Sequence, residues 1–175
     1  MAVVGRRWYT RPSVVTATAI AAAFLIGLLL VPGRPRGATA VAIGRPAPTF
    51  AAPAIDGSSV QLADFRGHPV LVNFWGSWCK PCQDEFPRLA KVHAAGVAVV
   101  GVLYKDEASP ALAFVRQHQA TWPTVVDPKA QIASAYKVTV APTTFAIDGN
   151  GVVRARHLGE ASTADLADLI KAADS

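Results

Sequence analysis

Apolar residues gather into short runs along this chain, and the spacing within and between the runs predicts most of its elements. Val70-Leu71-Val72 has the continuous apolar character of a buried strand, predicted over 70–75. It leads into residues 83–95, where Phe86, Leu89, Ala90 and Val92 fall at helical spacing. A second apolar run, 97–103, predicts another buried strand. Ser109-Pro110 marks a helix start, serine as cap and proline in the first helical position, running to about residue 119. Asp127-Pro128 opens another helix, to about residue 136. Residues 143–147 and 152–156 read as strands joined by Asp148-Gly149-Asn150-Gly151, a strong hairpin signal. Ser162 with Asp165 has the pattern of a capping box for a last helix. Ahead of these, Asp56-Gly57 predicts a turn between two short strands within 55–60. Residues 62–66 predict a short helical turn closed by Gly67.

This order, strand–helix–strand–helix followed by a hairpin and a last helix, is that of a thioredoxin-like α/β fold. The expected architecture is a central mixed sheet flanked by helices, with an N-terminal β-hairpin extension. The 175 residues suit one such domain plus something short. Residues 13–31 carry no charge, and as a helix they would span about 28 Å, close to the hydrocarbon thickness of a bilayer. They are expected to form a single transmembrane anchor. A cleaved signal peptide is the competing reading, with Ala38-Thr39-Ala40 as its cleavage triplet, but that triplet lies well beyond the apolar run. The expected division is a tail at 1–12, the anchor at 13–31, a Pro-, Gly- and Ala-rich linker at 32–45 and the domain at 46–175.

Charge sharpens this picture. The chain has 17 basic and 12 acidic residues. Six of the basic ones (Arg6, Arg7, Arg11, Arg34, Arg36, Arg45) come before Pro46, where there is no acid, which leaves eleven basic and twelve acidic residues in the domain. The net +5 therefore belongs to the N-terminal segment. The domain has no nucleic-acid footprint, and arginine flanking a membrane span explains the basicity. Three arginines stand on each side of the span, so the orientation rests on the short N-terminal tail, which favours a domain on the extracytoplasmic side.

The chemistry gathers at Cys79-Lys80-Pro81-Cys82, the only cysteines in the chain. They lie where a predicted strand gives way to a predicted helix. Cys79 falls at the helix N-terminus, where unpaired N–H groups and the helix dipole favour a thiolate. Cys82 lies one turn inside, on the same face. A nucleophilic thiolate with a resolving thiol beside it is the equipment for thiol–disulfide exchange. A structural disulfide over so short a loop would stabilise little. A zinc site would need about four ligands, and the histidines at 68, 93, 118 and 157 are scattered. Gln83, not His, follows Cys82, so this is not a haem attachment site. Lys80 adds a positive charge beside Cys79, Pro81 suits a first helical turn, and Trp78 offers apolar contact area to a substrate while Trp75 reads as core. Glu85 is on the face of the cysteines; an exposed first-turn acid is the bland alternative, and neighbouring Asp84 is read as that.

The stretch from Val70 to Cys82, then Glu85-Phe86-Pro87, resembles the TlpA/ResA/CcmG family of membrane-anchored, extracytoplasmic thioredoxin-like proteins. Tyr104-Lys105-Asp106 is similar to a stretch of the CcmG branch, and Ala141-Pro142-Thr143-Thr144-Phe145-Ala146-Ile147-Asp148 to the family's cis-proline segment. The chain departs from the CcmG branch at Thr143, where that branch usually carries Glu. The resemblance implies a cis bond before Pro142, with Ala141, Pro142 and Thr143 meeting a substrate strand beside the cysteines. It makes Glu85 an active-site carboxylate that tunes the thiols and relays protons. Asn73 stands where ordinary thioredoxins carry a buried Asp, so Glu85 is read as the substitute acid. The activity implied is protein-disulfide reduction serving cytochrome c maturation. Apocytochrome c is the implied substrate, a membrane thiol-transfer protein of the CcdA/DsbD type the electron donor, the lipid bilayer the platform, and no cofactor is expected beyond the Cys79–Cys82 pair. A disulfide-donating oxidase is the variant that sequence leaves open. A peroxidase is suggested by Ala47-Pro48-Thr49-Phe50, but that class places Pro and Thr where this chain has Val72 and Gly76. A non-catalytic module that holds a client is the third class.

Overall fold

The computed structural model describes residue 41 and residues 43–175. The expected anchor and most of the linker lie outside the described residues, among which no helix is long and apolar enough to cross a membrane.

Strand β3 (Val70–Trp75) is the middle of the molecule, with all six residues buried. Parallel to it runs β4 (Ala98–Tyr104), and β4 carries parallel β5 (Thr124–Asp127) on its far side. On the other flank β6 (Thr143–Ile147) pairs antiparallel with β3, and β7 (Val153–Leu158) with β6. The sheet order is β5-β4-β3-β6-β7. Outside this sheet β1 (Ala51–Pro53) and β2 (Ser59–Gln61) form the expected hairpin extension. That hairpin is tied to the β5 edge by an Ala54–Val125 bridge and by the Ile55 N–H, which donates to Thr124 O at 2.9 Å. An edge strand is thereby covered rather than left open.

The period of two along β3 decides which residue meets which layer. Val70, Val72 and Phe74 join a core with Val100, Val102, Tyr136 and Phe145. Helix α3 (Gln131–Ala135) and the hairpin lie on that side. Leu71, Asn73 and Trp75 point the other way, toward α1 (Lys80–Ala94), α2 (Ala108–Gln117) and α4 (Thr163–Ala173). There Phe86 and Leu89 of α1 pack with Phe114 of α2 and with Leu166 and Leu169 of α4. Trp75, Phe86 and Phe114 form a triangle of rings, with Trp75 4.8 and 4.9 Å from the other two centroids. A β-carbon on Gly101 of β4 would fall 2.8 Å from Trp75 Nε1 and 2.4 Å from Thr124 Oγ1, so that position admits no side chain. These rings fix the end of β3, from which the chain turns into α1.

The structure shifts several predicted boundaries. Helix α1 begins at Lys80 rather than at residue 83, with Cys79 as its cap and Pro81 in its first turn. Helix α2 begins at Ala108 behind Glu107, so Ser109 and Pro110 lie inside its first turn instead of opening it. Pro110 is tolerated there because first-turn N–H groups have no helical partner. Asp127 ends a strand, β5, that the sequence did not predict: four residues between Pro123 and Pro128 are too few to show alternation. Its carboxylate still serves the following helix. It accepts from the N–H groups of Gln131, Ile132 and Ala133 at 2.7, 3.2 and 2.9 Å. The hairpin turn at 148–151 and the Ser162–Asp165 capping box are as expected.

Asp127 is 4 % exposed and gathers three backbone donors, so its loss would leave buried N–H groups unpaired. Asp127→Ala is expected to cost roughly 2–3 kcal/mol and Asp127→Asn less, read as a lowered midpoint in urea unfolding.

Candidate active site

Between the end of β3 and the start of α1 the chain makes one tight turn, Gly76-Ser77-Trp78. Two bonds hold it: the Cys79 N–H donates to Gly76 O at 3.1 Å, and the Ser77 N–H to Asp106 Oδ2 at 2.6 Å. Asp106 stands just past β4, so the Tyr104-Lys105-Asp106 stretch acts on the site by anchoring its entry turn. The Tyr104 ring lies 6.5 Å from that of Trp78. Trp78 is 57 % exposed, and Val140 across the site is 45 % exposed.

Cys79 and Cys82 are joined in a disulfide. Cys79 caps α1, and its Sγ accepts from the Cys82 N–H at 3.2 Å. In the reduced protein that donor and the helix N-terminus both favour negative charge on Cys79. Cys82 is fully buried, while Cys79 keeps a little exposure. Lys80, expected to favour the Cys79 thiolate, pairs on the solvent side with Asp84 at 2.6 Å, which screens its charge. Asp84 is the exposed acid that the sequence suggested.

The Ala141–Pro142 bond is cis. Ala141 packs against the apolar cluster that contains both cysteines. Among the described residues its N–H and carbonyl make no backbone hydrogen bond, whereas the Pro142 carbonyl accepts from Gly159. Thr143 is buried between Phe74 of β3 and Leu158 of β7, and its hydroxyl donates to Val140 O at 2.7 Å, so its side chain is not open to a substrate.

Glu85 is not a surface acid. One turn beyond Cys82 on the same face of α1, it is fully buried against the sheet. Its Oε1 accepts from Asn73 Nδ2 of β3 at 3.4 Å and from the Thr144 hydroxyl of β6 at 3.3 Å. Asn73 Nδ2 also donates to Thr144 Oγ1 at 2.9 Å. Oε2 has no partner. Burial pushes the carboxyl up to about 7, against the opposing pull of the Thr144 hydroxyl, the Ala161 amide and the Arg88 charge. A group so placed exchanges a proton near neutrality, beside a dithiol that must lose and regain protons.

Thr144, Arg88, Glu160 and Asp106 are parts of the site that the sequence reading left without a role. Their partners lie 29 to 73 positions away in the chain, so no local pattern marks them. The positions a peroxidase would need are closed to polar chemistry. Val72 is fully buried on the opposite face of β3, and a β-carbon on Gly76 would collide with the Trp78 indole at 2.6 Å.

Comparison with known proteins matches residues 43–156 to the AhpC/TSA family. The chain is 36 % identical over 132 residues to "Thiol-disulfide oxidoreductase ResA" of Geobacillus kaustophilus, covering 73 % of this chain and 76 % of that one. It is 40 % identical over 121 residues to "Thiol:disulfide interchange protein DsbE" of Xylella fastidiosa, covering 67 % and 61 %. A crystal structure from Chlorobium tepidum, provisionally named thiol:disulfide interchange protein DsbE, superposes with a TM-score of 0.68 at 37 % identity, covering 77 % and 99 %.

Because burial raises the Glu85 pKa from 4.5 to about 7, the folded protein holds this proton more tightly than the unfolded chain. The stability linked to it is complete below about pH 4.5 and is lost as pH rises through about 7. Urea unfolding of the disulfide form should show wild type weakening by about 3 kcal/mol across that window relative to Glu85→Gln, which does not titrate.

Proposed function

The chain belongs to the AhpC/TSA family, with thiol-disulfide oxidoreductases of the ResA and DsbE kind as its relatives, and from that premise we propose that it is a membrane-anchored reductant of apocytochrome c, or of the proteins that mature it, working outside the cytoplasm. The observation that carries the reading is the Cys79–Cys82 disulfide at the start of α1 with a buried, near-neutral Glu85 one turn below it. The uncharged stretch at 13–31 supports the anchor, and the short N-terminal tail supports the orientation.

In the reaction, the Cys79 thiolate attacks one sulfur of the substrate disulfide. A mixed disulfide forms, and the other substrate sulfur leaves as a thiolate that takes up a proton. Glu85 as the carboxylate accepts the Cys82 proton, and the Cys82 thiolate then attacks Cys79 Sγ. The mixed bond breaks, the second substrate sulfur leaves as a thiolate that takes up a proton as Glu85 gives one up, and the enzyme is left in the disulfide form. Two electrons have passed from the enzyme dithiol to the substrate. A membrane thiol-transfer protein of the CcdA/DsbD type restores the dithiol by the reverse exchange. Exposed Trp78 and Val140 offer apolar contact, and the unpaired Ala141 backbone can add a substrate strand.

Surroundings outside the cytoplasm oxidise thiols, whereas covalent haem attachment needs both cysteines of the apocytochrome reduced. A tethered reductant meets that need at high effective concentration. A disulfide donor would carry the same residues, since direction follows reduction potential.

Five experiments test the reading. Alkylation of the reduced protein against pH should label Cys79 first, and Cys82→Ser should trap mixed disulfides through Cys79. Cys79→Ser should lose disulfide reduction entirely; full biological function in that variant would favour a client-holding module. For direction, equilibration with glutathione buffers should give a potential near or below about −200 mV, whereas one near about −120 mV would identify a disulfide donor. A strain lacking the protein should lose haem-stained c-type cytochromes and regain them with added thiol; normal levels there would remove cytochromes as the essential client.

A further inference from the structure

Arg88 follows Glu85 by three positions, so α1 presents both on one face. The segment after β7 crosses that face. Arg88 Nε donates to Ala161 O at 2.9 Å, and its Nη2 is ion-paired with the Glu160 carboxylate. The clamped segment is itself held from below, since the His157 ring meets Glu160 O at 3.2 Å. Ala161 is fully buried in the same cluster as Cys79 and Cys82, and its amide faces Glu85. Arg88 and Glu160 are only partly exposed, at 28 % and 41 % of their side chains.

We propose that Arg88 and Glu160 are positioning residues: their ion pair clasps the 159–161 segment over Glu85 and tunes proton exchange at that carboxyl. The inference rests on the reading of Glu85 as the proton carrier of the dithiol. The groups that face Glu85 are few. Asn73 comes from β3, Thr144 from β6, Arg88 from its own helix, and Glu160 with the Ala161 amide from the segment beyond β7. Of these only Arg88 and Glu160 are charged, and they act in opposite senses. Arg88 favours the carboxylate and Glu160 disfavours it. Paired, they largely cancel, and the balance leaves Glu85 titrating near neutrality. The same contact closes the segment over α1 and keeps water from the orphaned Oε2, which preserves the effect of burial. Neither residue touches sulfur or substrate in this arrangement; they work through Glu85.

The test uses the full-length chain in its disulfide form, where Glu85 titrates without coupling to the thiols. The readout is the pH dependence of the Glu85 side-chain carboxyl carbon shift by NMR. Arg88→Met removes the favourable charge and leaves Glu160 unpaired, so the midpoint should rise by roughly 0.5–1 pH unit. Glu160→Gln removes the unfavourable charge and frees Arg88, so the midpoint should fall by a comparable amount. The double variant should return toward wild type, and Arg88→Lys should stay close to it. A purely structural contact would loosen the segment in both single variants and move both midpoints the same way, downward as water enters. Midpoints that move together, or do not move, overturn the proposal. If Arg88→Met does not fold, Arg88→Gln removes the same charge, and a rise there against the fall in Glu160→Gln decides the sign. Because the titration needs no turnover, a protein that fails to reduce disulfides yet shows opposed midpoints would sink the functional reading and keep the clasp.

Discussion

Glu85 sits where water does not reach, and the rest of the site is shaped by what that placement costs. Once ionised, the carboxylate has two long hydrogen bonds on one oxygen, from Asn73 and Thr144, and none on the other. A carboxyl group in that condition keeps its proton to about pH 7. Holding it there takes a rigid surround. On the same side of the sheet lies a cluster of fully buried apolar side chains: Leu71 and Trp75 from β3, Phe86 and Leu89 from α1, Leu166 from α4. Dense packing on both sides of β3 resists the relaxation that would otherwise let water in.

The same packing aims the disulfide. Trp75, gripped by Phe86 and Phe114, fixes the end of β3. Asp106 then fixes the turn that follows, and Cys79 becomes the cap of α1. Cys79 and Glu85 thus stand on one helix, the first as its cap and the second within its second turn. A dithiol passing to a disulfide releases two protons, and the reverse step takes them up. In the proposed mechanism a carboxyl group near neutrality can serve both directions. For a thiol-disulfide oxidoreductase with this pair, the relative stability of dithiol and disulfide sets which way electrons run.

Features with a local cause were legible in the chain. The buried run of β3, the Asp148–Gly151 hairpin turn and the Ser162 capping box each follow from residues within a few positions of one another. So does the redox pair, because two cysteines three apart at a strand-to-helix junction leave little else for them to do. Features that join distant residues were not legible. β5 is too short to carry a pattern, and α2 starts at Ala108, ahead of the Ser109-Pro110 signal, behind an extended Glu107 whose side chain makes no capping bond.

Glu85 shows the division most clearly. Helical spacing alone puts it on the face of the cysteines, but spacing cannot say whether that face meets water or the sheet. Burial was decided by the docking of α1 against β3 and β6, which brings Asn73 and Thr144 to within hydrogen-bonding distance of the carboxyl. The ion pair of Arg88 with Glu160 spans 72 positions and exists only because β7 returns the chain beside α1. Composition and spacing along the chain determined the chemistry that the protein carries, since thiol reactivity at a helix start is a local property. Its electrostatic setting was decided by the tertiary structure, since desolvation depends on what packs around a group and not on its neighbours in sequence.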